Sequence, residues 1–196
     1  MILGITGSIG SGKTTAARIF GKHHFNRIDA DEIGHELMKE NKELKNRLVK
    51  IFGNGILDKN SNIDRKKLGG IVFNDKNELK KLNLIMHPLI INEIKNKIKK
   101  IQKGCGDDAK IIIDAPLLIE TGLKDCVDMV IVIKSSKKNS IKRLNKKYPK
   151  EMIKRILNAQ MPLKDKLKHA DFVVDNEGDL RHLEIEVKDI IKKVEK

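Results

Sequence analysis

An eight-residue segment near the start of the chain has the composition of a phosphate-binding loop. Residues 7–14 read Gly-Ser-Ile-Gly-Ser-Gly-Lys-Thr, a complete G-x-x-x-x-G-K-[ST] pattern that lies between an apolar run and a helical pattern. Glycines let successive backbone N–H groups turn toward a polyphosphate, and the following helix directs its positive end at the same anion. Lys13 would then reach the β- and γ-phosphates, and the Thr14 hydroxyl would ligate Mg²⁺. The alternative is a Gly/Ser turn that precedes a lysine by chance.

Acidic residues follow several of the predicted strands. Short apolar runs of the kind that form strands buried on both faces lie at residues 2–5, 25–28, 110–113, 127–133 and 172–174. Asp29 and Asp31 follow the second run, Asp114 the third and Asp175 the fifth. Because the carboxyl ends of parallel strands lie at the same edge of a sheet, we expect one site to gather these carboxylates.

Helical patterns separate the strands, and this alternation predicts an α/β fold. We expect a three-layer, P-loop NTPase-like architecture in which a parallel five-stranded sheet is flanked by helices. About eighty residues between the second and third strands are too many for one crossover helix, and they predict an inserted helical subdomain. We expect one domain over residues 1–196, with a core (residues 1–31, 104–136 and 156–196), the helical insertion (residues 32–103) and a small basic lid (residues 137–155) over the phosphates.

The composition indicates a globular protein with small anionic ligands. Of 196 residues, 39% are hydrophobic and 35% charged, while aromatic residues are only 3%, so no stacking surface for bases is visible. The net charge of +14 comes from lysines scattered through almost every helical segment. Dispersed charge argues against a nucleic-acid-binding stripe, although a basic nucleic-acid-binding ATPase stays an alternative.

The chain has the features of a cytoplasmic protein. Its two cysteines, Cys105 and Cys126, form neither a C-x-x-C motif nor an even disulfide framework, so both are expected to be reduced. No signal peptide is recognisable, and no apolar run approaches the roughly 18–20 residues that span a bilayer. We therefore expect no membrane partner.

Among proteins with a phosphate loop, a small-molecule kinase fits best. A GTPase would add Asn-Lys-x-Asp for guanine, and residues 145–148 lack the acid. The D-x-x-G match at residues 175–178 lies too far along the chain for a switch aspartate and is interpreted as chance. Phosphoryl transfer requires an acid near the acceptor hydroxyl, an acid associated with the metal, and mobile cations. Residues 29–32, Asp114 and the lid around Arg143 supply these groups.

Several further motifs resemble those of the dephospho-CoA kinases, and they occur in that family's order along nearly the whole chain. They are D-x-D, H-P, D-x-P-L-L-x-E and A-D-x-x-x-D-N-x-G, and the matching stretches are residues 4–15, 28–31, 63–65 with 72–73, 87–88, 114–123, 160–163 and 170–178. The resemblance implies transfer of the ATP γ-phosphoryl group to the ribose 3′-hydroxyl of dephospho-CoA, with Mg²⁺ and with the acceptor held by the inserted helices. Another small-molecule kinase would leave these motifs unexplained.

The resemblance also implies a set of site residues. Asp31 would orient the acceptor hydroxyl and take its proton as a catalytic residue with Lys13 and Arg143, and Asp114 would contact Mg²⁺ through water beside Thr14. ATP would contact Gly7, Ser8, Ile9, Gly10, Ser11, Gly12, Lys13, Thr14, Thr15, Arg143 and Asn176. Acceptor contacts would be Asp29, Asp31, Arg65, His87, Pro116 and Leu117. We expect a monomer with no nucleic-acid partner.

Structural roles compete with several of these assignments. Asp31 suits a helix N-cap, and Asp114 suits a cap of the turn that follows its strand. His87 and Pro88 together suit a helix start with proline in the first position. Residues 64–65 suit a surface ion pair. The lid also departs from the family, since Lys147 stands where a second arginine is usual and lacks the bidentate fork.

Overall fold

The strands form one parallel sheet at the centre of the fold. The computed structural model describes residues 1–106, 108–145 and 149–195. Its strands are β1 (Ile2–Gly7), β2 (Asn26–Asp29), β3 (Ile111–Asp114), β4 (Met129–Lys134) and β5 (Phe172–Asp175). Their spatial order is β2-β3-β1-β4-β5, and every neighbouring pair is parallel. The predicted α/β class and five-stranded parallel sheet are confirmed.

Helices occupy the connections between the strands. Those that follow β1 and β2 are α1 (Lys13–Lys22), α2 (Ala30–Glu40), α3 (Lys42–Phe52), α4 (Arg65–Val72) and α5 (Lys76–Cys105). Those that follow β4 and β5 are α6 (Lys137–Leu144), α7 (Lys150–Ala159), α8 (Leu163–Lys166) and α9 (Leu180–Val194). Short 3₁₀ helices lie at Asn54–Ile56, Leu123–Cys126 and Leu167–His169.

Aliphatic packing between the sheet and two helices holds the phosphate-loop region in place. Leu3 and Ile5 of β1 pack with Ile131 and Ile133 of β4 against α1 and α9, and all four are inaccessible to solvent. The continuous Ile111–Asp114 run of β3 is also fully buried, as expected for a strand covered on both faces. This core fixes the carboxyl ends of β1 and β3, where the loop and Asp114 lie.

The described chain divides into two compact units. The first comprises residues 1–30 and 96–196 and contains the sheet. The second comprises residues 31–95 and has its own core, in which Leu48 of α3, Leu68 of α4 and Met86 of α5 are buried. The described part of the predicted lid, residues 137–145 and 149–155, belongs to the first unit.

Two further expectations bear on the class of protein. Among the described residues, no helix combines the length and the apolar character needed to cross a membrane. Cys105 and Cys126 are both free thiols, as the reduced state predicted from the sequence requires.

Candidate active site

The phosphate loop joins the end of β1 to the start of α1, as the motif predicts. Gly10 and Gly12 adopt left-handed backbone conformations with φ of 78° and 95°. A Cβ atom on Gly12 would lie 2.1 Å from the amide nitrogen of Asn176, and one on Gly10 would lie 2.7 Å from the Ser140 carbonyl oxygen. Both positions therefore require glycine for conformation and for space, and the loop backbone is closely packed by residues from distant parts of the chain.

A buried ion-pair network lies beside the loop. Lys13, the first residue of α1, contacts one carboxylate oxygen of Asp114, whose side chain is fully buried. The other Asp114 oxygen accepts a hydrogen bond of 2.9 Å from Arg27 Nη2, and Arg27 also pairs with Asp29. Asp29 and Asp114 are register partners at the ends of β2 and β3. The structure thus brings together Asp29 and Asp114, two of the four acids that the strand pattern assigned to one site. Asp175 does not join them, because it ends β5 at the far side of the sheet and pairs with Lys134.

Arg27 is a member of this network that the sequence analysis did not single out. Residues two apart in a strand share a face, so Arg27 and Asp29 point the same way from β2. The sequence does contain a signal for this pair, because Arg27 and Asp29 have opposite charges and are two residues apart at the end of a predicted strand. Its consequence is that Asp114 has a cation on each oxygen, which satisfies a carboxylate that burial alone would destabilise.

Arg143 lies against the backbone of the phosphate loop. Its Nη1 donates to the carbonyl oxygens of Gly10 and Ser11 at 3.3 and 3.2 Å and to the Ser135 hydroxyl at 3.2 Å. Its Nη2 donates to the Asn176 carbonyl oxygen at 3.0 Å. The guanidinium therefore joins α6 to the loop and to the segment after β5. An open pocket of about 430 Å³ adjoins these groups, lined by Asn139, Lys142, Arg143, Glu177 and Gly178.

Two amide side chains complete the support of the loop. Asn176 is buried, and its side-chain nitrogen donates to the Ser11 carbonyl oxygen at 2.6 Å. The Gln160 side-chain oxygen accepts from the backbone N–H of Ile9 at 2.9 Å. Asn176 was a predicted ATP contact, whereas Gln160 lay within a quoted motif without a role. Asn176 therefore holds the Ser11 carbonyl group and Gln160 the Ile9 N–H group, so both side chains stabilise the backbone of the loop.

Pro116 and Leu117 follow Asp114 in a segment that a buried lysine holds. The Pro116 carbonyl oxygen accepts hydrogen bonds from the Thr6 hydroxyl at 3.1 Å and from Lys166 Nζ at 2.8 Å. Lys166 also pairs with Glu120, and burial lowers the pKa of the Lys166 ammonium against the opposing effect of that carboxylate. Sequence analysis missed Lys166, because one lysine among so many carries no distinguishing signal.

A more exposed ion pair lies at the ends of β4 and β5. Lys134 Nζ is 3.0 Å from an oxygen of Asp175, and this contact raises the pKa of Lys134 and lowers the pKa of Asp175. The Glu177 carboxylate accepts from the Ser136 backbone N–H and, at 2.7 Å, from the Asn139 side chain. The start of α6, the helix that carries Arg143, is thereby fastened to the segment after β5.

The predicted acceptor contacts Asp31, Arg65 and His87 lie in the second unit, whereas Thr14 and Thr15 lie in the first turn of α1 in the first unit. Asp31 is the second residue of α2, because the helix begins at Ala30; the N-cap interpretation of Asp31 is wrong. Pro88 lies inside α5, so the helix-start interpretation of residues 87–88 is wrong as well. His87 and Pro88 line a surface pocket of about 320 Å³ along that helix.

Arg65 is the first residue of α4, and its neighbour caps that helix. The Asp64 side chain accepts from the backbone N–H groups of Lys66 and Lys67 at 2.9 and 3.2 Å. This capping role replaces the surface ion pair considered for residues 64–65. The lid residues Lys146 and Lys147 lie outside the described residues.

Comparisons with known proteins agree with these motifs. A family model described as dephospho-CoA kinase matches residues 1–182. The chain is 40% identical to the dephospho-CoA kinase of Lactobacillus johnsonii over 195 residues, which cover 98% of this chain and 97% of the relative. It is 37% identical to that of Aquifex aeolicus over 196 residues, with 98% and 96% covered.

Solved structures give the same result for the fold. A dephospho-CoA kinase from Campylobacter jejuni is similar with a TM-score of 0.71 and 32% identity, and the match covers 98% of this chain and 96% of the other. The protein TT1252 from Thermus thermophilus is similar with a TM-score of 0.79 and 26% identity over 99% and 97% of the two chains.

Proposed function

The chain belongs to the dephospho-CoA kinase family, and we propose that it transfers the γ-phosphoryl group of ATP to the ribose 3′-hydroxyl of dephospho-CoA. The products are CoA and ADP. The observation that carries this conclusion is the pairing of a complete glycine-rich loop with the buried Lys13 and Asp114 at its edge, in a chain whose family is established over residues 1–182. Another small-molecule kinase or a nucleic-acid-binding ATPase is not favoured.

The phosphates of ATP are bound by backbone amides and by Lys13. Left-handed glycines allow the loop to turn between β1 and α1, and the N-terminus of α1 adds its positive end. Lys13 neutralises charge that develops on the transferred group, since phosphoryl transfer relies on positioning and electrostatic stabilisation. Gly7, Ser8, Ile9, Gly10, Ser11, Gly12, Thr14 and Thr15 form the rest of this binding segment.

Arg143 and Asn176 support the phosphate loop, and through it the bound nucleotide. Both donate a hydrogen bond to the Ser11 carbonyl oxygen, so this loop oxygen has its partners within the protein. Arg143 is half-buried, and we assign to it the contact with the β- or γ-phosphate that the sequence predicts. Its planar fork makes it suited to hold backbone oxygens and a phosphate together.

Thr14 and Asp114 fit a magnesium ion bound together with the nucleotide. Magnesium keeps several waters and takes one or two protein oxygens plus substrate phosphates. Each Asp114 oxygen already contacts a cation, so this carboxylate is better placed to accept a hydrogen bond from a metal-bound water than to coordinate the metal. Bound Mg²⁺ would supply charge neutralisation at the β- and γ-phosphate oxygens.

The acceptor side is assigned from the motifs. Asp31 orients the 3′-hydroxyl and receives its proton, and Asp29 supports it from the end of β2. Arg65 meets the anionic diphosphate of the acceptor. The remaining acceptor contacts are His87, Pro116 and Leu117. Within this scheme the chain acts as a monomer without a nucleic-acid partner, in keeping with its dispersed lysines.

An acceptor panel tests the proposal. The purified chain is incubated with ATP and Mg²⁺ and with dephospho-CoA, adenosine or shikimate in turn, and ADP release and acceptor mass are followed. We expect turnover with dephospho-CoA, a product heavier by one phosphate, and loss of turnover when EDTA removes the metal. Turnover with another acceptor but none with dephospho-CoA would reject the proposal. ATP hydrolysis that is stimulated by RNA or DNA and falls with salt would favour the ATPase instead.

A further inference from the structure

Lys166 is a fully buried lysine that lies outside the catalytic residues assigned above. It ends the short helix α8, and its side chain has no solvent exposure. Its ammonium donates hydrogen bonds to the Pro116 carbonyl oxygen at 2.8 Å and to the two oxygens of Glu120 at 2.7 and 2.8 Å. The three donors of a lysine ammonium are therefore all used within the protein.

The acceptors of Lys166 connect segments that are distant in sequence. The Pro116 carbonyl oxygen also accepts from the Thr6 hydroxyl at 3.1 Å, and Thr6 lies one residue before the phosphate loop. Glu120 also accepts from the backbone N–H of Met161 at 3.0 Å. One ammonium thus joins the end of β1, the segment after β3 and the segment after α7.

Each of these segments makes a contact at the candidate active site. Asp114 lies two residues before Pro116 and pairs with Lys13. Gln160 lies one residue before Met161 and accepts from the Ile9 N–H in the phosphate loop. A shift of the segment after β3 would therefore move Asp114 and the predicted acceptor contacts relative to the loop.

A charged group at this position is expensive to bury. Removing an ammonium from water is strongly unfavourable until its partners compensate, and a well-packed apolar pair is often as stable as a buried ion pair. Burial lowers the pKa of Lys166, and the nearby positive charge of Lys13 acts in the same direction. An apolar side chain could fill the space, but it could not hold a backbone carbonyl and a carboxylate in fixed directions.

We propose that Lys166 is a positioning residue for phosphoryl transfer. Its ammonium fixes the Pro116 carbonyl and the Glu120 carboxylate, and through them the segment that begins at Asp114 and includes Leu117. The inference rests on the proposed function, since it concerns the rate of that reaction. It assigns to Lys166 an effect on turnover that goes beyond its effect on folding.

The test compares turnover with stability in matched variants. Lys166→Met removes the ammonium and keeps an unbranched chain, whereas Lys166→Met combined with Glu120→Gln also removes the carboxylate charge that would be left unpaired. Lys110→Met is the control, because Lys110 forms a similar lysine–glutamate pair with Glu195 at 2.6 Å on the surface. Measurements are the thermal midpoint, the Kd of an ATP analogue, and kcat and KM with dephospho-CoA.

We expect kcat to fall by more than the change in thermal midpoint of the same variant can explain. Because small misplacements of reacting groups cost up to about a hundredfold in rate, we expect kcat of Lys166→Met to fall by about 10- to 100-fold. The double variant should regain thermal stability but not kcat, and nucleotide Kd should stay within about threefold of the wild type. Lys110→Met should keep wild-type turnover.

Other results would overturn the inference. A folded Lys166→Met variant with wild-type kcat, or a double variant in which stability and kcat recover together, would leave Lys166 with a structural role only. Should Lys166→Met fail to fold, Glu120→Gln decides the matter, since full activity there would also overturn it. An inactive wild-type chain would instead reject the proposed function, and this inference with it.

Discussion

The ammonium of Lys13 lies directly against a carboxylate oxygen of Asp114, and both side chains are buried. Lys13 begins α1 and Asp114 ends β3, so this pair joins the phosphate loop to the neighbouring strand. Because Arg27 contacts the other oxygen, Asp114 keeps one cation if Lys13 is lost. The pair thus connects phosphate binding to the stability of the sheet edge.

Replacing Lys13 by alanine should reduce both ATP use and stability. The variant loses the cation that neutralises the transferred phosphoryl group, and Asp114 retains one cation in place of two. We expect a fall in kcat/KM for ATP of at least about a hundredfold and a destabilisation of about 1–3 kcal/mol. Steady-state kinetics and urea unfolding measure these changes.

The control for this variant is Lys22→Ala at the exposed C-terminal end of the same helix. It removes a positive charge from α1 without touching the loop, so turnover should stay near wild type. Equal losses in the two variants would contradict a specific role for Lys13.

Asp31→Asn tests the acceptor side. Asparagine keeps the shape of the side chain but cannot accept a proton, so kcat should fall by about a hundredfold or more while ATP affinity is retained. The measurement pairs kcat with dephospho-CoA and the Kd of an ATP analogue. Glu32→Gln, one residue along the first turn of α2, is the matched control and should keep its activity. Near-normal turnover of Asp31→Asn would remove Asp31 from the proposed role.

Arg143→Lys tests whether the geometry of the guanidinium matters. Two Arg143 nitrogens reach the Gly10, Ser11 and Asn176 carbonyl oxygens, and a lysine ammonium lacks the planar fork that spans them. We expect ATP-analogue affinity to weaken by about 10- to 100-fold, since losing a charged hydrogen bond costs about 1.5–3 kcal/mol. Titration calorimetry measures it. Lys138→Met, on the exposed side of α6, should leave the affinity unchanged; equal affinity for wild type and Arg143→Lys would contradict the prediction.

The sheet and its acidic edge were predictable from the sequence for a physical reason. Strands covered on both faces must be continuously apolar, and an acid buried at the end of such a run must be paired, as Asp114 is with Lys13 and Arg27. The β3 run before Asp114 and the β1 run before the phosphate loop are both apolar in this way, and the structure confirms the resulting sheet. The phosphate loop could be predicted from the spacing of its glycines and lysine alone.

Other features were hidden because their cause is tertiary. Pro88 suggested a helix start, yet the apolar stripe continues across it from Ile85 and Met86, and packing of that face keeps α5 helical through the proline. Lys166 was hidden because the chain contains 41 Lys and Arg residues, and only the fold shows which of them is buried. The local sequence pattern predicts helices and strands. Whether a single charged side chain is buried depends on contacts with segments that are distant in sequence.

The exposed pair of Lys134 and Asp175 should make stability depend on pH in a defined direction. Because the pKa of Asp175 lies below 3.8 in the folded chain, the pair stabilises the fold above that pH and the effect is lost as the pH falls further. The pKa of Lys134 is raised above 10.5, so the effect also persists until the solution is strongly alkaline. Asp175→Asn should therefore have a slightly lower thermal midpoint than wild type at pH 7, and this difference should shrink as the pH falls below 3.8. Midpoints measured from pH 2 to pH 8 test this, and a gap independent of pH would show that asparagine acts through packing and not through lost charge.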